Sequence, residues 1–188
     1  MIVVLVRFRR ASDTRAVRRV ARAAWRAALE GHAPAGFLAA VWRTLYGRDR
    51  LVLGLLDVRR DAIVAERDGR VIGYADGIAG AGADGPAAAY DLARVYVEPR
   101  AWGGGVGRAL VESLLMAARA RGVARVDVEV DAANGAGLRW WERLGFARAG
   151  AGTYELPPWS RPTIRLVRSA EPLAWRRAPR AHPDQPPM

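Results

Sequence analysis

Asp91-Leu92-Ala93-Arg94-Val95-Tyr96-Val97-Glu98-Pro99, followed by Trp102-Gly103-Gly104-Gly105-Val106-Gly107-Arg108, decides the fold of this chain. Leu92 to Val97 reads as a strand. The glycine-dense loop after it opens an amphipathic segment in which Val106, Leu110, Val111, Leu114, Leu115 and Ala118 mark one helical face, stopped by Gly122. A strand, a glycine loop and a helix in that order point free backbone N–H groups at one spot, a site for a phosphate-bearing ligand. Glycine lets backbone come close to such a ligand with no Cβ in the way.

Ala124 to Val130 alternates as the next strand, so Leu92 to Val130 forms a β-α-β crossover with parallel strands. Upstream, Ile2 to Arg9 reads as a strand and Ser12 or Asp13 as a helix cap. Val17, Val20, Ala21, Ala24 and Ala28 then give a buried face that ends at Gly31. A second helix is expected from Pro34 to Tyr46. Ala62 to Glu66 and Val71 to Ile78 are strands joined by an Asp68-Gly69 hairpin turn. Gly80 to Ala89 carries no periodicity. Downstream, Asn134 caps a short helix with Trp140, Trp141 and Leu144. Two strands follow near Arg148 to Leu156 and Thr163 to Arg168. The expected fold is α/β: a mixed, mostly antiparallel central sheet with one parallel β-α-β unit and helices on both faces. Residues 1–169 form the domain, and 170–188, with five prolines, a disordered tail.

Composition narrows the chemistry. The 188 residues leave room for one domain with a core. No cysteine excludes disulfides, thiolate metal sites and an acyl-cysteine intermediate, and fits a cytoplasmic location. All thirty basic residues are arginine, which removes Schiff-base lysines and the P-loop lysine. His32 and His182 have no metal-ligand spacing, so no metal is expected. The net charge of +11 suggests an anionic partner, but the arginines are dispersed, which argues against nucleic acid. Met1 to Val6 is too short for a signal core, and no window approaches the ~20 apolar residues of a membrane span. A dinucleotide-binding turn is the nearest rival for the glycine loop. Leu110 fills its third glycine slot, and five residues separate Val97 from Gly103 where that turn must be tight.

With both motifs quoted, the chain resembles the GNAT superfamily of N-acetyltransferases over roughly residues 1–169. Gly105 and Gly107 match the family's acyl-CoA loop, with Trp102 in its Arg/Gln slot. The second signature is an Asn, an aromatic and Leu-Gly-Phe, here Asn134, Trp140-Trp141 and Leu144-Gly145-Phe146. The resemblance implies acetyl-CoA as co-substrate and a small-molecule or peptide amine as partner, in a monomer or homodimer with no membrane. It sets the pyrophosphate on the amides of Gly103, Gly104, Gly105, Val106, Gly107 and Arg108. The pantetheine arm then runs along Val95, Tyr96 and Val97, with a Val97 amide at the thioester oxygen and Asn134 and Trp141 beside the cofactor. Absence of cysteine makes direct transfer in a ternary complex the simplest route.

Asp91 is the candidate base. Strict alternation puts it on the face of Ala93, Val95 and Val97, with Arg94 and Tyr96 opposite. The resemblance adds that superfamily members acylating histones carry a carboxylate at the matching position. Glu98 and Tyr96 are weaker candidates. Trp141 stands where the family has a tyrosine that can protonate the leaving thiolate. That departure and the net charge motivate the alternative, a non-catalytic acyl-CoA-binding or RNA-binding module on the same scaffold. Trp25, His32, Phe37 and Trp42 either line an acceptor pocket or belong to the core.

Overall fold

Asp68 (φ 51) and Gly69 (φ 71) both take left-handed backbone. That is the geometry of the tight hairpin their sequence predicts, and it joins β2 (Arg60–Arg67) to β3 (Arg70–Ala79). The computed structural model describes residues 4–29, 31–34, 36–80 and 89–173. Most of the unpatterned Gly80–Ala89 loop and the expected tail from residue 174 onward lie outside the described residues. The tail's first residues are part of the domain: Ala170 is buried, its N–H donates to Ala124 O at 2.8 Å, and Leu173 packs on the core.

A seven-stranded sheet has the order β1-β2-β3-β4-β5-β7-β6. The remaining strands are β1 (Leu5–Phe8), β4 (Ala89–Val97), β5 (Arg125–Asp131), β6 (Ala147–Leu156) and β7 (Trp159–Ser169). Only β4 and β5 pair in parallel; every other neighbour is antiparallel. This is the mixed sheet the sequence predicts.

Helices cover both faces. On one side lie α1 (Thr14–Leu29), α2 (Phe37–Leu45) and α3 (Arg48–Leu53), and their cluster centres on Val17, Val20, Phe37, Val41, Val64 and Tyr74. On the other lie α4 (Val106–Ala120) and α5 (Gly135–Arg143). All six apolar positions read from the sequence as the α4 face are buried there. Two details depart from the sequence reading. α2 starts at Phe37 because Gly36 (φ 78) turns the chain in front of it. α3 went unpredicted: six residues hold too little of a 3.6-residue repeat to register, although Leu51 is buried. Among the described residues no helix is long and apolar enough to cross a membrane.

Candidate active site

β4 and β5 pair only over Ala89–Asp91 and Arg125–Asp127. Beyond Asp91 the strands part, and no ladder joins residues 92–97 to residues 128–131. The gap opens into a cavity of about 1070 Å³. One wall is β4 from Asp91 to Val97. The others are the glycine loop, Val128 to Asp131 of β5, α5, and part of the α1–α2 layer.

The β4 wall presents an unpaired edge. Glu98 N–H donates to Ile72 O at 2.9 Å, which sets the phase of the β3–β4 ladder. Backbone groups of Arg94 and Tyr96 therefore turn toward β3, and those of Val95 and Val97 turn away from it, into the gap. Trp102 Nε1 donates to Val97 O at 2.9 Å, so that carbonyl does face the open side. The N–H groups of Val95 and Val97 are left pointing at whatever fills the slot.

The same end of β4 feeds α4. Gly103 (φ 76) and Gly105 (φ 78) hold left-handed backbone, and Gly105 is the helix N-cap with no side chain to accept a hydrogen bond. The first intrahelical acceptor is Gly105 O, bonded by Ala109 N–H at 3.0 Å. Helix geometry leaves the N–H groups of Val106 and Gly107 for another acceptor. They and the helix dipole favour an anion at the cavity's end. Gly107 is needed for a different reason than its neighbours. A Cβ there would come within 2.9 Å of the Trp140 ring and 3.6 Å of Val97, so the glycine lets α4 close on β4 and α5.

Asp91 occupies the apex where the strands separate, and its face corrects the sequence reading. Tyr90 and Leu92 pack with α4, and so do Val95 and Val97. Two opposite phases in one strand require an extra residue. The register supplies it: Asp76 faces Arg94 but Ile78 faces Asp91. This bulge at Leu92–Ala93 turns Asp91 to the α1–α3 side, with Arg94 and Tyr96. Burial, and then the nearby Glu129, Asp76 and Asp127 carboxylates, lift the Asp91 pKa to about 6.

The neighbours are mostly engaged. Asp76 pairs with Arg60 (2.6 Å) and Arg94 (2.9 Å), Asp127 with Arg125 (2.9 Å), and Asp131 with Arg161. Glu98 is no rival to Asp91. It is buried between Arg19, Arg70 and Arg100, outside the cavity lining. Tyr96 does line the cavity, but its hydroxyl bonds the Tyr46 hydroxyl and accepts from Trp25 Nε1 at 3.0 Å. Burial raises the pKa of both tyrosines, so they keep their protons.

Across the slot, Asn134 both caps α5 and lines the cavity. Its Oδ1 accepts from Gly137 N–H at 2.9 Å. Trp141 also lines the cavity while only 6% exposed, with its ring 4.7 Å from Trp140 and 4.9 Å from Phe146. It is core and site wall at once. Every residue expected to hold the cofactor except Gly104 lines this one cavity; Gly104 lies in the same loop, beside the Arg67 guanidinium. Of the open aromatics, Trp25 and Phe37 line it, His32 is exposed, and Trp42 packs beneath Arg18 and Arg22. Glu129, Tyr154 and Thr163 also line it and were missed. They sit on strands with no motif, and only the β5-β7-β6 strand order brings them to the slot.

Comparison with known proteins agrees with this fold. The family model described as the acetyltransferase (GNAT) family matches residues 18–146. An uncharacterized N-acetyltransferase of Mycobacterium tuberculosis is 33% identical over 102 residues, 54% of this chain and 62% of that protein. A mycothiol acetyltransferase of Streptosporangium roseum is 48% identical over 54 residues, 29% of this chain and 16% of that protein. The match thus spans less than two thirds of either relative's own length. The crystal structure of the PaiA N-acetyltransferase of Thermoplasma acidophilum, in complex with coenzyme A, superposes with a TM-score of 0.71 at 18% identity. It covers 87% of this chain and 98% of that one.

Proposed function

The chain belongs to the GNAT acetyltransferase family, and we propose that it moves an acetyl group from acetyl-CoA to a primary amine by direct transfer. The observation that carries this reading is the parting of β4 and β5 at Asp91. It offers an unpaired strand edge and a helix N-terminus on one side of a half-buried carboxylate. Those groups suit a phosphate-terminated, amide-bearing arm ending in a thioester. The N–H groups of Val106 and Gly107 receive the pyrophosphate. The edge of Val95 and Val97 pairs with the amides of the arm, and a Val97 N–H stabilises the negative charge that grows on the carbonyl oxygen. When bound, acetyl-CoA supplies an activated acyl carbon.

Asp91 accepts one proton from the entering ammonium, directly or through a water, and frees the lone pair that forms the new C–N bond. The C–S bond breaks, and the second amine proton leaves with the departing thiolate as thiol. Turnover thus yields amide, free thiol and one proton released from Asp91. Calorimetry with acetyl-CoA, followed by thiol release against a set of amines, tests the reading. Acetyl-CoA binding with no thiol release from any amine leaves the non-catalytic module in its place.

Trp141→Tyr tests the proton on the sulfur. An indole N–H is not a useful acid, whereas a phenol can protonate a thiolate. The variant is expected to stay folded with a lower thermal midpoint, since the smaller ring leaves space between Trp140 and Phe146, a loss of roughly 1–2 kcal/mol. Turnover is expected to be equal or faster, with any gain largest at low pH. Collapse of turnover with intact acetyl-CoA affinity would instead give the indole a positioning role that a phenol cannot fill.

A further inference from the structure

The acceptor half of the cavity holds three polar groups that nothing in the fold satisfies. Asp91 and Glu129 both line it, and neither has an ion-pair partner among the described residues. They lie on one face of the sheet. Asp91 is opposite Asp127 on β5, and Glu129 follows two residues further on, about 7 Å along the strand. They sense each other, since Glu129 is among the charges holding the Asp91 proton. The third group is Thr163, on β7 opposite Asp131 and Gly152. Thr163 is 5% exposed, its Oγ1 is buried without a hydrogen-bond partner, and it lines the same cavity. Thr163 Oγ1 and Glu129 Oε1 converge over Gly152: a Cβ on that glycine would meet them at 2.8 and 3.0 Å. The space is kept by a missing side chain.

The buried Thr163 hydroxyl without a partner costs free energy that a ligand can recover, and Glu129, exposed at the cavity wall, is a carboxylate open to an incoming cation. Arg94 and Arg143 also line the cavity without supplying that cation; Arg94 is committed to Asp76. Between the polar groups the wall is apolar. Trp25, Phe37 and Tyr154 form a run of rings with centroids 6.3 Å apart at each step.

We propose that the acceptor is a short aliphatic diamine, with one ammonium at Asp91 for reaction and the second held by Glu129 and Thr163. This rests on the acetyltransferase reading above and names its substrate class. An ammonium has three donors and can serve the Glu129 carboxylate and the Thr163 oxygen together. A spacer of three to five methylenes spans about the separation of the two carboxylates along the sheet and lies against the rings. Two positive charges offset two carboxylates, which explains how a chain of net charge +11 would draw in a cation.

The test uses the full chain at saturating acetyl-CoA, with thiol release read for 1,4-diaminobutane and for n-butylamine. The diamine is expected to show a KM roughly 10-fold or more below that of the monoamine, the worth of a charge-assisted hydrogen bond. Glu129→Gln is expected to raise the diamine KM to the monoamine value while acetyl-CoA affinity, read by calorimetry, holds. Thr163→Val is expected to shift it the same way by a smaller factor. Equal KM values in the wild type, or a gap that survives Glu129→Gln, would overturn the proposal. So would acetyl-CoA binding with transfer to neither amine. Failure of the wild type to bind acetyl-CoA at all would instead overturn the underlying acetyltransferase reading, and this proposal with it.

Discussion

Asp91→Asn lowers kcat by roughly 10²–10⁴-fold, the usual worth of a positioned general base, and leaves acetyl-CoA affinity nearly unchanged. The same variant is more stable than the wild type at neutral pH. Both outcomes come from one environment. Burial and the Glu129, Asp76 and Asp127 carboxylates hold the Asp91 pKa at about 6, above the ordinary aspartate range. A raised acid stabilises the fold fully below its unfolded pKa. That stability is lost as pH rises from about 4 through about 6. At pH 7 the wild type carries an ionised carboxylate in an unfavourable place, a strain of roughly 1–3 kcal/mol that the neutral amide removes. Activity runs the other way, because only the ionised form takes a proton. The wild-type kcat/KM profile therefore has an acid limb near pH 6 that the variant lacks. Thermal melts at about pH 4.5 and about pH 7.5 separate the effects: the stability gain is full at the higher pH and shrinks to a minor part at the lower. Turnover within twofold of wild type would remove Asp91 as the base. With Glu98 tied up by three arginines, water would take its place.

Residues whose signal is local were legible in the sequence. The α4 face, the Asp68-Gly69 turn and the Asn134 cap each depend on spacing within a few residues, and all three form as read. The slot itself needed the strand order. Nothing near Glu129 or Thr163 in the chain announces that β7 inserts between β5 and β6 and brings both to one wall. The face of Asp91 failed for a sharper reason. Alternation is a rule of regular strands, and one extra residue at Leu92–Ala93 reverses it for everything upstream. Leu92-Ala93 carries neither the glycine nor the proline that marks many irregular strands. Asp91 does line the cavity, but from the other face of the sheet. The correction bears on the proposed mechanism, because it sets Asp91 on the α1–α3 side of the sheet rather than under α4.

Gly107→Val cuts acetyl-CoA affinity by roughly 10²-fold or more, the loss of two or so hydrogen bonds to a charged group. Position 107 is in the first turn of α4, where valine's helix propensity is no worse than glycine's, so the helix itself survives. What fails is its seat. The new Cβ meets the Trp140 ring at 2.9 and 3.4 Å and Val97 at 3.6 Å, and valine's two methyls extend further. Trp140 cannot simply retreat, because its ring is packed edge-on against Trp141. The N-terminus of α4 must move off β4, and the N–H groups of Val106 and Gly107 then no longer share a focus with the Val95–Val97 edge. Gly105 gives the control that isolates this cause. Its Cβ would meet open space, so only its left-handed backbone (φ 78) restricts it. Gly105→Asn introduces a residue that tolerates that backbone and is expected to bind within several-fold of wild type, whereas Gly105→Val loses affinity through the loop. Calorimetry over the three variants therefore ranks Gly105→Asn as the tightest binder, ahead of both valine substitutions. Wild-type affinity in Gly107→Val would mean the pyrophosphate does not sit on this helix end, and the assignment of the loop would fall with it.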